Sequence, residues 1–465
     1  MKKITSLLIL NFLLAVAGIN FSSAQTPVLF GTCSQGGPAN GGTIFQADLD
    51  GSNLHAVHSF VMAEGLWPWG KIAQASNGKI YGVTFLGGCS DSCTLYEYDP
   101  LAGTCTDVYD FYCNAPIGEP SQGGLIRLPD GNLYGHQQNG IIYKFDPNTH
   151  AYTLLNQSSA YYYGGLMQAL DGKLYGVSYS GGVNSQGFIF RYDLTTQVYS
   201  ILYSFSSSHG ANPYMENLIQ ATDGKLYGTT YTGGANNVGV IFSYDVSANV
   251  YTNLHDFNGA QGSTPYSGLI QASNGKLYGM ANQGGTGPYG VIFSYDISAS
   301  QYSVIYNFDG SNGSHPQRGL TQATNGKLFG TTNAGGANSL GVAFSYDIAT
   351  NVYTKLIDFD ATSGTGPQSD IQQADLSIAE GMTSASASPL AIYVDAASQH
   401  LIVQNPKFKE HAELIMYDAV GKNIFQSEIR NLKSEFNLSL YPAGIYLIQL
   451  KTDERVVAQK IVLSK

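Results

Sequence analysis

Apolar residues along this chain fall into short runs set apart by glycine and asparagine, and the runs recur in one order at a near-constant interval. Residues 268–308 show that order: GLIQA, then Ser-Asn-Gly, KLYGMA, a glycine-rich QGGTGPYG, VIFSYD, a short ISAS and QYSVIYNF. Within VIFSYD, Val291, Phe293 and Tyr295 share one face and Ile292, Ser294 and Asp296 the other, the period of two that marks a strand. Asn274-Gly275 between the first two runs predicts a tight hairpin with a type I′ turn, whose two central residues both need positive φ. Each unit therefore reads as four antiparallel strands, A to D.

Aligned on an aromatic-glycine pair, the units are marked by Phe30-Gly31, Tyr81-Gly82, Tyr134-Gly135, Tyr175-Gly176, Tyr227-Gly228, Tyr278-Gly279 and Phe329-Gly330, with successive glycines 51, 53, 41, 52, 51 and 51 residues apart. A period near 50 residues with several strands per unit points to propeller blades. The first unit starts directly at strand B (Val28-Leu29-Phe30-Gly31), whereas Pro367 to Ala374, after the seventh unit, imitates Pro265 to Ala272 and is a strand A without a unit of its own. The expected fold is all-β, a seven-bladed β-propeller over residues 25–376 in which residues 369–375 complete the first blade. Phe and Tyr residues fill the wedges between blades, and the glycine of each pair gives room for close approach. The Gly135 unit is about ten residues short and lacks the Gly-Gly loop between strands B and C, which predicts a lower sector on one face.

Met1 to Ala24 join Lys2 and Lys3, an apolar run from Leu7 to Ala17 and the small residues Ser22-Ser23-Ala24, the layout of a secretory signal peptide over residues 1–24. No other stretch stays apolar for about eighteen residues, so no transmembrane segment is expected in the mature chain. Residues 377–389 are rich in Ser and Ala and read as a linker. Seven short strands follow in residues 390–465 (LAIYV, HLIVQ, AELIMYD, KNIFQSEI, SEFNLSL, GIYLIQL and VVAQKIVLS), the pattern of a small immunoglobulin-like β-sandwich.

Two resemblances bear on that layout. Met416-Tyr417-Asp418-Ala419-Val420-Gly421-Lys422, Leu440-Tyr441-Pro442-Ala443-Gly444-Ile445-Tyr446 and the terminal Lys460 to Lys465 resemble the type A C-terminal sorting domain of the type IX secretion system of Bacteroidetes. That resemblance implies a partner, the type IX machinery acting on residues 390–465, and export across the outer membrane to a secreted or surface-held state. The repeats, with Gly224-Lys225-Leu226-Tyr227-Gly228-Thr229-Thr230-Tyr231-Thr232-Gly233-Gly234 followed by Gly239-Val240-Ile241-Phe242, resemble the extracellular tandem repeats called GloVer (HAF family) over residues 28–375. It implies a surface repeat protein and brings no catalytic residues with it.

Composition narrows the function further. With 12% aromatic and 12% charged residues, 55 Gly and 33 Tyr, the chain is unlike a disordered one. Leaving out Lys2 and Lys3, and the 9 basic and 8 acidic residues after position 390, residues 25–390 keep 11 basic against 25 acidic residues. Such a charge argues against nucleic acid and anionic membranes as partners. Of the five cysteines, Cys89 and Cys93 share a loop and form the best candidate pair, while Cys105 and Cys113 stand at opposite ends of one predicted strand, roughly 26 Å apart. The spacing lacks the paired CxxC units of a zinc site.

Motifs for chemistry are absent: no GxSxG, no HExxH and no GxxxxGK[ST]. The Asp-rich turns Asp48-Leu49-Asp50-Gly51-Ser52-Asn53 and Asp309-Gly310-Ser311-Asn312 lack the bidentate Glu of a calcium loop and read as Asx turns. The aspartate that ends strand C in every unit (Asp48, Asp99, Asp146, Asp193, Asp245, Asp296, Asp347) reads as a cap on the C–D turn. No cofactor or metal is expected. By antiparallel alternation the long B–C and D–A loops share one face, where function usually sits. Trp67, Trp69, Tyr214 and Tyr266 in the D–A loops, with Tyr161, Tyr162 and Tyr163 in the short unit, are the candidate ligand-binding residues, suited to stacking on a sugar or a protein partner. The expected function is non-enzymatic binding or adhesion to a glycan or protein. The alternative is a carbohydrate-active propeller enzyme, a glycoside hydrolase or lyase, drawing a carboxylate pair from Glu64, Asp110, Glu119, Glu216 and Asp256.

Overall fold

The structure is a computed structural model that describes residues 28–87, 93–111, 119–120, 122–215, 217–374, 391–395, 400–404, 412–417, 422–429, 433–438, 441, 444–451 and 456–463. The signal-peptide and linker readings, Cys89, Cys113, Glu216 and positions 418–421, 440, 442–443 and 464–465 of the sorting motifs lie outside the described residues. The chain divides into two units, residues 1–378 and 379–465.

The first unit is a seven-bladed β-propeller of four-stranded antiparallel blades, and no α-helix occurs among its described residues. In blade 6, strands A to D are Ile270–Gln271, Leu277–Ala281, Val291–Asp296 and Gln301–Asn307. Blade 1 takes strands B to D from Val28–Gln35, Thr43–Asp48 and His55–Ser59, and its inner edge from the far end of the unit. There Gln372–Ala374 pairs with Phe30 to Val28, and Thr365–Pro367 pairs with Gln35 and Cys33. Between these two short pairings the Thr32 amide donates to Ser369 Oγ at 2.7 Å.

The NGKLYG signature is explained by local bonds, with one departure from expectation. Gly275 has φ +81°, but Asn274 does not enter the left-handed region, so the turn is not type I′. The Gly275 amide donates to Ala272 O and the Ala272 amide to Lys276 O, the pattern of a type I turn closed by a left-handed glycine. At negative φ the Asn274 side chain is free to cap: its Oδ1 accepts from the Lys276 amide at 3.2 Å and its Nδ2 donates to Tyr278 Oη at 2.9 Å. Asp171 and Asp223 take the same place in blades 4 and 5 and accept from Tyr175 and Tyr227 Oη. Turn, lysine and tyrosine thus form one unit. The following glycine is required for contact: a Cβ on Gly279 would stand 2.6 Å from Phe293 and 2.8 Å from Leu269.

The repeated Gln-Ala has an equally local cause. Gln271 Nε2 donates to Gly275 O of its own hairpin at 2.9 Å, while its Oε1 accepts from the Thr222 amide of blade 5 at 2.9 Å. Gln220, Gln322 and Gln373 likewise accept from Leu170, Ser273 and Thr324 in the preceding blade. These glutamines tie successive blades together around the axis. Farther out, aromatic residues of neighbouring D strands stack nearly parallel: Tyr203 on Tyr251 at 4.1 Å, His255 on Tyr302 at 3.8 Å and Tyr306 on Tyr353 at 3.9 Å. Between these layers sit the mixed clusters of Phe, Tyr, Leu, Ile and Val that form the inter-blade core.

The strand-C aspartates cap the C–D turn. Asp296 Oδ1 accepts from the Ser298 amide, the Ser298 hydroxyl and the Ala299 amide at 3.0, 2.6 and 3.0 Å, and those bonds hold its carboxyl down at about 2. In blade 3 the B–C connection is a tight turn, with the Gln137 amide bonded to Ile141 O and the Gly140 amide to Gln137 O.

The second unit has a three-stranded sheet of Ala391–Asp395, His400–Gln404 and Lys433–Asn437, and a four-stranded sheet of Asn423–Ile429, Ala412–Tyr417, Gly444–Lys451 and Val456–Leu463. Phe425 of one sheet meets Phe436 of the other, ring centroids 5.4 Å apart, and Leu401, Leu414, Met416 and Ile448 are buried.

Candidate functional site

The two tryptophans are not in a free loop. Strand A of blade 2 runs from Leu66 to Gln74, and Leu66, Pro68 and Trp69 pair with Leu86, Thr84 and Val83. Strand B of this blade extends to Leu86 and so offers partners to residues that are loop in the other blades. Both indoles pack on Phe85, with ring centroids 6.3 Å (Trp67) and 5.2 Å (Trp69) away. Trp67 is held at φ +58°, and the buried Trp69 Nε1 has no acceptor.

Tyr214 and Tyr266 belong to a different assembly, a chain of five half-buried tyrosines across blades 4 to 6. Tyr163 meets Tyr179 and Tyr214 at 5.2 and 4.9 Å; Tyr214 meets Tyr231 and Tyr266 at 5.8 and 5.4 Å; Tyr231 meets Tyr266 at 5.0 Å. Three come from D–A loops and two, Tyr179 and Tyr231, from the first position after strand B, so all five share the long-loop face. Burial pushes the Tyr214 hydroxyl up, and burial with the adjacent Tyr231 hydroxyl pushes Tyr266 up further. These groups stay neutral donors on an aromatic surface. Sequence reasoning missed Tyr179 and Tyr231, which sit in the repeat's own Thr-Thr-Tyr position and carry no mark of their own. Tyr162 is core: its hydroxyl is bonded to Ser158 Oγ and Tyr199 Oη, while Tyr161 is exposed.

Beneath the tyrosines the axis is closed. Arg318, only 4% exposed, lies at the start of strand A in blade 7; its guanidinium donates to Gln368 Oε1 of blade 1 and, across the ring, to Gln122 O of blade 3 at 3.4 Å. Burial draws its pKa down to about 10, opposed by the Asp370 carboxylate. Below this lock is an axial cavity of about 530 Å³ lined by strand A residues of all seven blades. Its lining is buried at the long-loop end (Gln122, Met215, Ser267, Arg318) and exposed or half-exposed at the other (Arg127, Gln168, Gln322), so it opens on the tight-turn face.

Beyond the effect of burial, the acidic candidates Glu119 and Asp110 both lie close enough to Cys93 to push its thiol up, whereas Glu64 and Asp256 are engaged elsewhere. Glu64 pairs with His58 at 2.9 Å, and Asp256 accepts from the Ala235 amide and Asn253 Nδ2. Asp110 lies instead near Asp107, whose carboxyl is held up at about 6 by burial and then by Asp110. A raised carboxyl favours the protonated fold, so this group's stabilising contribution is complete below about pH 4 and is lost as pH rises through 6. Asp107→Asn should therefore raise the melting temperature at pH 7.5 by about 2 °C and leave it unchanged at pH 3.5, read by calorimetry at both values.

The ligand atoms of His58, Glu64 and Cys105 lie within 4.8 Å of one another, a set able to hold a metal ion, although burial and the Glu64 charge push the Cys105 thiol well up. The sequence hid this set because its members come from different blades. Cys93, expected to pair with Cys89, carries a free thiol that donates to Phe85 O at 3.1 Å. Asp309 accepts from Ser311 Oγ, the Asn312 amide and Asn312 Nδ2, so its oxygens serve its own turn.

Comparison with known proteins places this architecture. The profile of the Gloeobacter/Verrucomicrobia repeat matches residues 17–161 and 161–389. The chain belongs to that family. Residues 396–464 match the secretion system C-terminal sorting domain, which implies handling by the type IX machinery and export to the cell surface or beyond it. No curated protein matches this Gloeobacter/Verrucomicrobia repeat chain. Among solved structures it is similar to a proposed 6-phosphogluconolactonase from Bacteroides fragilis (15% identity, TM-score 0.52, covering 76% of this chain and 99% of that one). It is also similar to PorZ of Porphyromonas gingivalis, described as an essential surface component of the type IX secretion system (12% identity, TM-score 0.43, 91% of this chain), and spans 63% of PorZ's length. TolB from Acinetobacter baumannii shares 15% identity at TM-score 0.42, covering 77% of this chain and 69% of TolB. At 15% identity the likeness to the Bacteroides fragilis protein concerns the fold alone. No helix among the described residues is long and apolar enough to cross a membrane.

Proposed function

We propose that this repeat protein is a surface-displayed or secreted binding module, without catalysis of its own, that holds a glycan on the long-loop face of its propeller. The observation that carries the reading is the five-tyrosine chain: half-buried rings from blades 4 to 6 that meet on the long-loop face. Aromatic faces of this kind stack on the C–H face of a pyranose, and phenol hydroxyls bond its ring hydroxyls. A folded protein has little other use for so many half-exposed rings in one place. A glycan array probed with the wild type and Tyr214→Ala tests it. Retention of a defined glycan is expected, with at least about tenfold weaker retention by the variant, the worth of one stacking contact. No retained glycan, or equal retention by the variant, removes the reading. Polysaccharides incubated with the protein should release no reducing ends.

A further inference from the structure

The axial cavity is unlike the rest of the propeller surface. Ile126, Met167, Ile219 and Ile270 of blades 3 to 6 give it one apolar arc. Opposite stand Lys71 of blade 2, Arg318 of blade 7 and Asp370 of blade 1, and Arg127 of blade 3 lies at the open rim. Among the described lining residues three cations stand against one carboxylate, inside a sequence region that holds 11 basic and 25 acidic residues. Solubility explains an acidic exterior. It does not explain cations collected on the axis.

The fold uses only part of this donor capacity. Arg318 gives its terminal nitrogens to Gln368 and Gln122, but its buried Nε–H has no acceptor among the described residues. Asp370 directs Oδ1 to the Gly319 amide at 2.6 Å. Lys71 and Arg127 form no ion pair with a described residue, and the two also border a smaller cavity of about 280 Å³ between blades 1 and 3. A buried N–H without a protein acceptor is a place where an incoming carboxylate oxygen can bond. A volume of about 530 Å³ falls in the range of small-molecule sites.

We propose that the axial cavity is a binding site for a small organic acid, entered from the tight-turn face. The carboxylate lies against Lys71 and the Arg318 Nε–H, Arg127 at the open rim attracts the anion on entry, and the carbon skeleton lies on the Ile126, Met167, Ile219 and Ile270 arc. The apolar arc selects an organic anion over a bare oxyanion, and the cations select the acid over its neutral counterpart. This site faces away from the tyrosines, so it stands or falls separately from the glycan reading.

Isothermal titration of the full chain decides it, with D-glucuronate, citrate and benzoate as acids, D-glucose and benzyl alcohol as neutral counterparts, and inorganic phosphate. At least one acid is expected to bind saturably, at least tenfold more tightly than its neutral counterpart and than phosphate. Raising salt from about 50 to about 500 mM should weaken it severalfold, a readout that needs no variant. The Lys71→Gln/Arg127→Gln variant, shown by its melting temperature to be folded, should lose at least tenfold, while Tyr231→Ala should bind the acid as the wild type does. Absence of saturable heat from all three acids overturns the proposal. So does equal binding of acid and neutral counterpart, equal binding of phosphate, or a folded double variant with undiminished affinity.

Discussion

A chain ending at residue 364 melts about 7 °C below one ending at residue 378. The longer chain keeps the whole first unit, and the shorter loses the strand that completes blade 1. The removed segment does more than fill an edge. Ile371 and Ala374 are buried in the clusters on either side of blade 1. Ser369 takes the Thr32 amide, Gln368 O takes the Gly70 amide of blade 2, Asp370 takes the Gly319 amide and Gln373 the Thr324 amide of blade 7. Burial of one Ile and one Ala, with several bonds of about 1 kcal/mol each, amounts to about 5 kcal/mol. Loss of Gln368 also frees the Arg318 guanidinium from its nearest acceptor. Differential scanning calorimetry of both chains reads the difference, and coincident melts would show that blade 1 does not depend on its last strand.

The second large effect comes from one methyl group at the axis. A Cβ on Gly123 would stand well inside 3.0 Å of the Gly164 carbonyl and the Gly165 nitrogen, all backbone atoms of the next blade. Side chains can swing aside, but this backbone is fixed by blade 4, whose Leu166 is buried directly after it. Gly123→Ala should therefore cost about 3 kcal/mol or more, an overpacking penalty at the top of the usual range. Gly287→Ala is the matched control. Its added carbon meets the Tyr289 ring at 3.1 Å, and Tyr289 is exposed and can turn. Urea denaturation of the two variants should show a midpoint shift for Gly123→Ala and almost none for Gly287→Ala. Equal midpoints would mean that the blades are not in contact at this height.

The blade count was legible because a closed ring repeats its chemistry: the same turn, the same tyrosine and the same glycine must serve each blade, and they stand in line in the sequence. The turn type was not, since Asn-Gly fits two turns and the choice fell to the Tyr278 hydroxyl, which holds the Asn274 side chain where only Gly275 takes positive φ. Trp67 and Trp69 read as loop because strand A elsewhere is short, and nothing within blade 2 announces that Leu66 to Trp69 will find partners on a longer strand B. The tyrosine chain was half visible. Tyr214 and Tyr266 stand out as departures from the repeat, whereas Tyr179 and Tyr231 join them only through the antiparallel return of strand B. The axial lock was invisible for a related reason. Arg318, Gln368 and Gln122 are far apart along the chain and meet only when seven blades converge.

The way blade 1 is completed also sets an order in time. Val28 to Phe30 are among the first residues of the propeller to leave the ribosome, and their partners Gln372 to Ala374 are the last. Until that final stretch arrives, the first strand of blade 1 lacks its inner partner. Seventeen residues after Ala374 comes Ala391, in the first strand of the sorting unit. The signal for departure thus follows directly on the residues that permit closure, so a chain cut short before its ring can shut also lacks its ticket out of the cell.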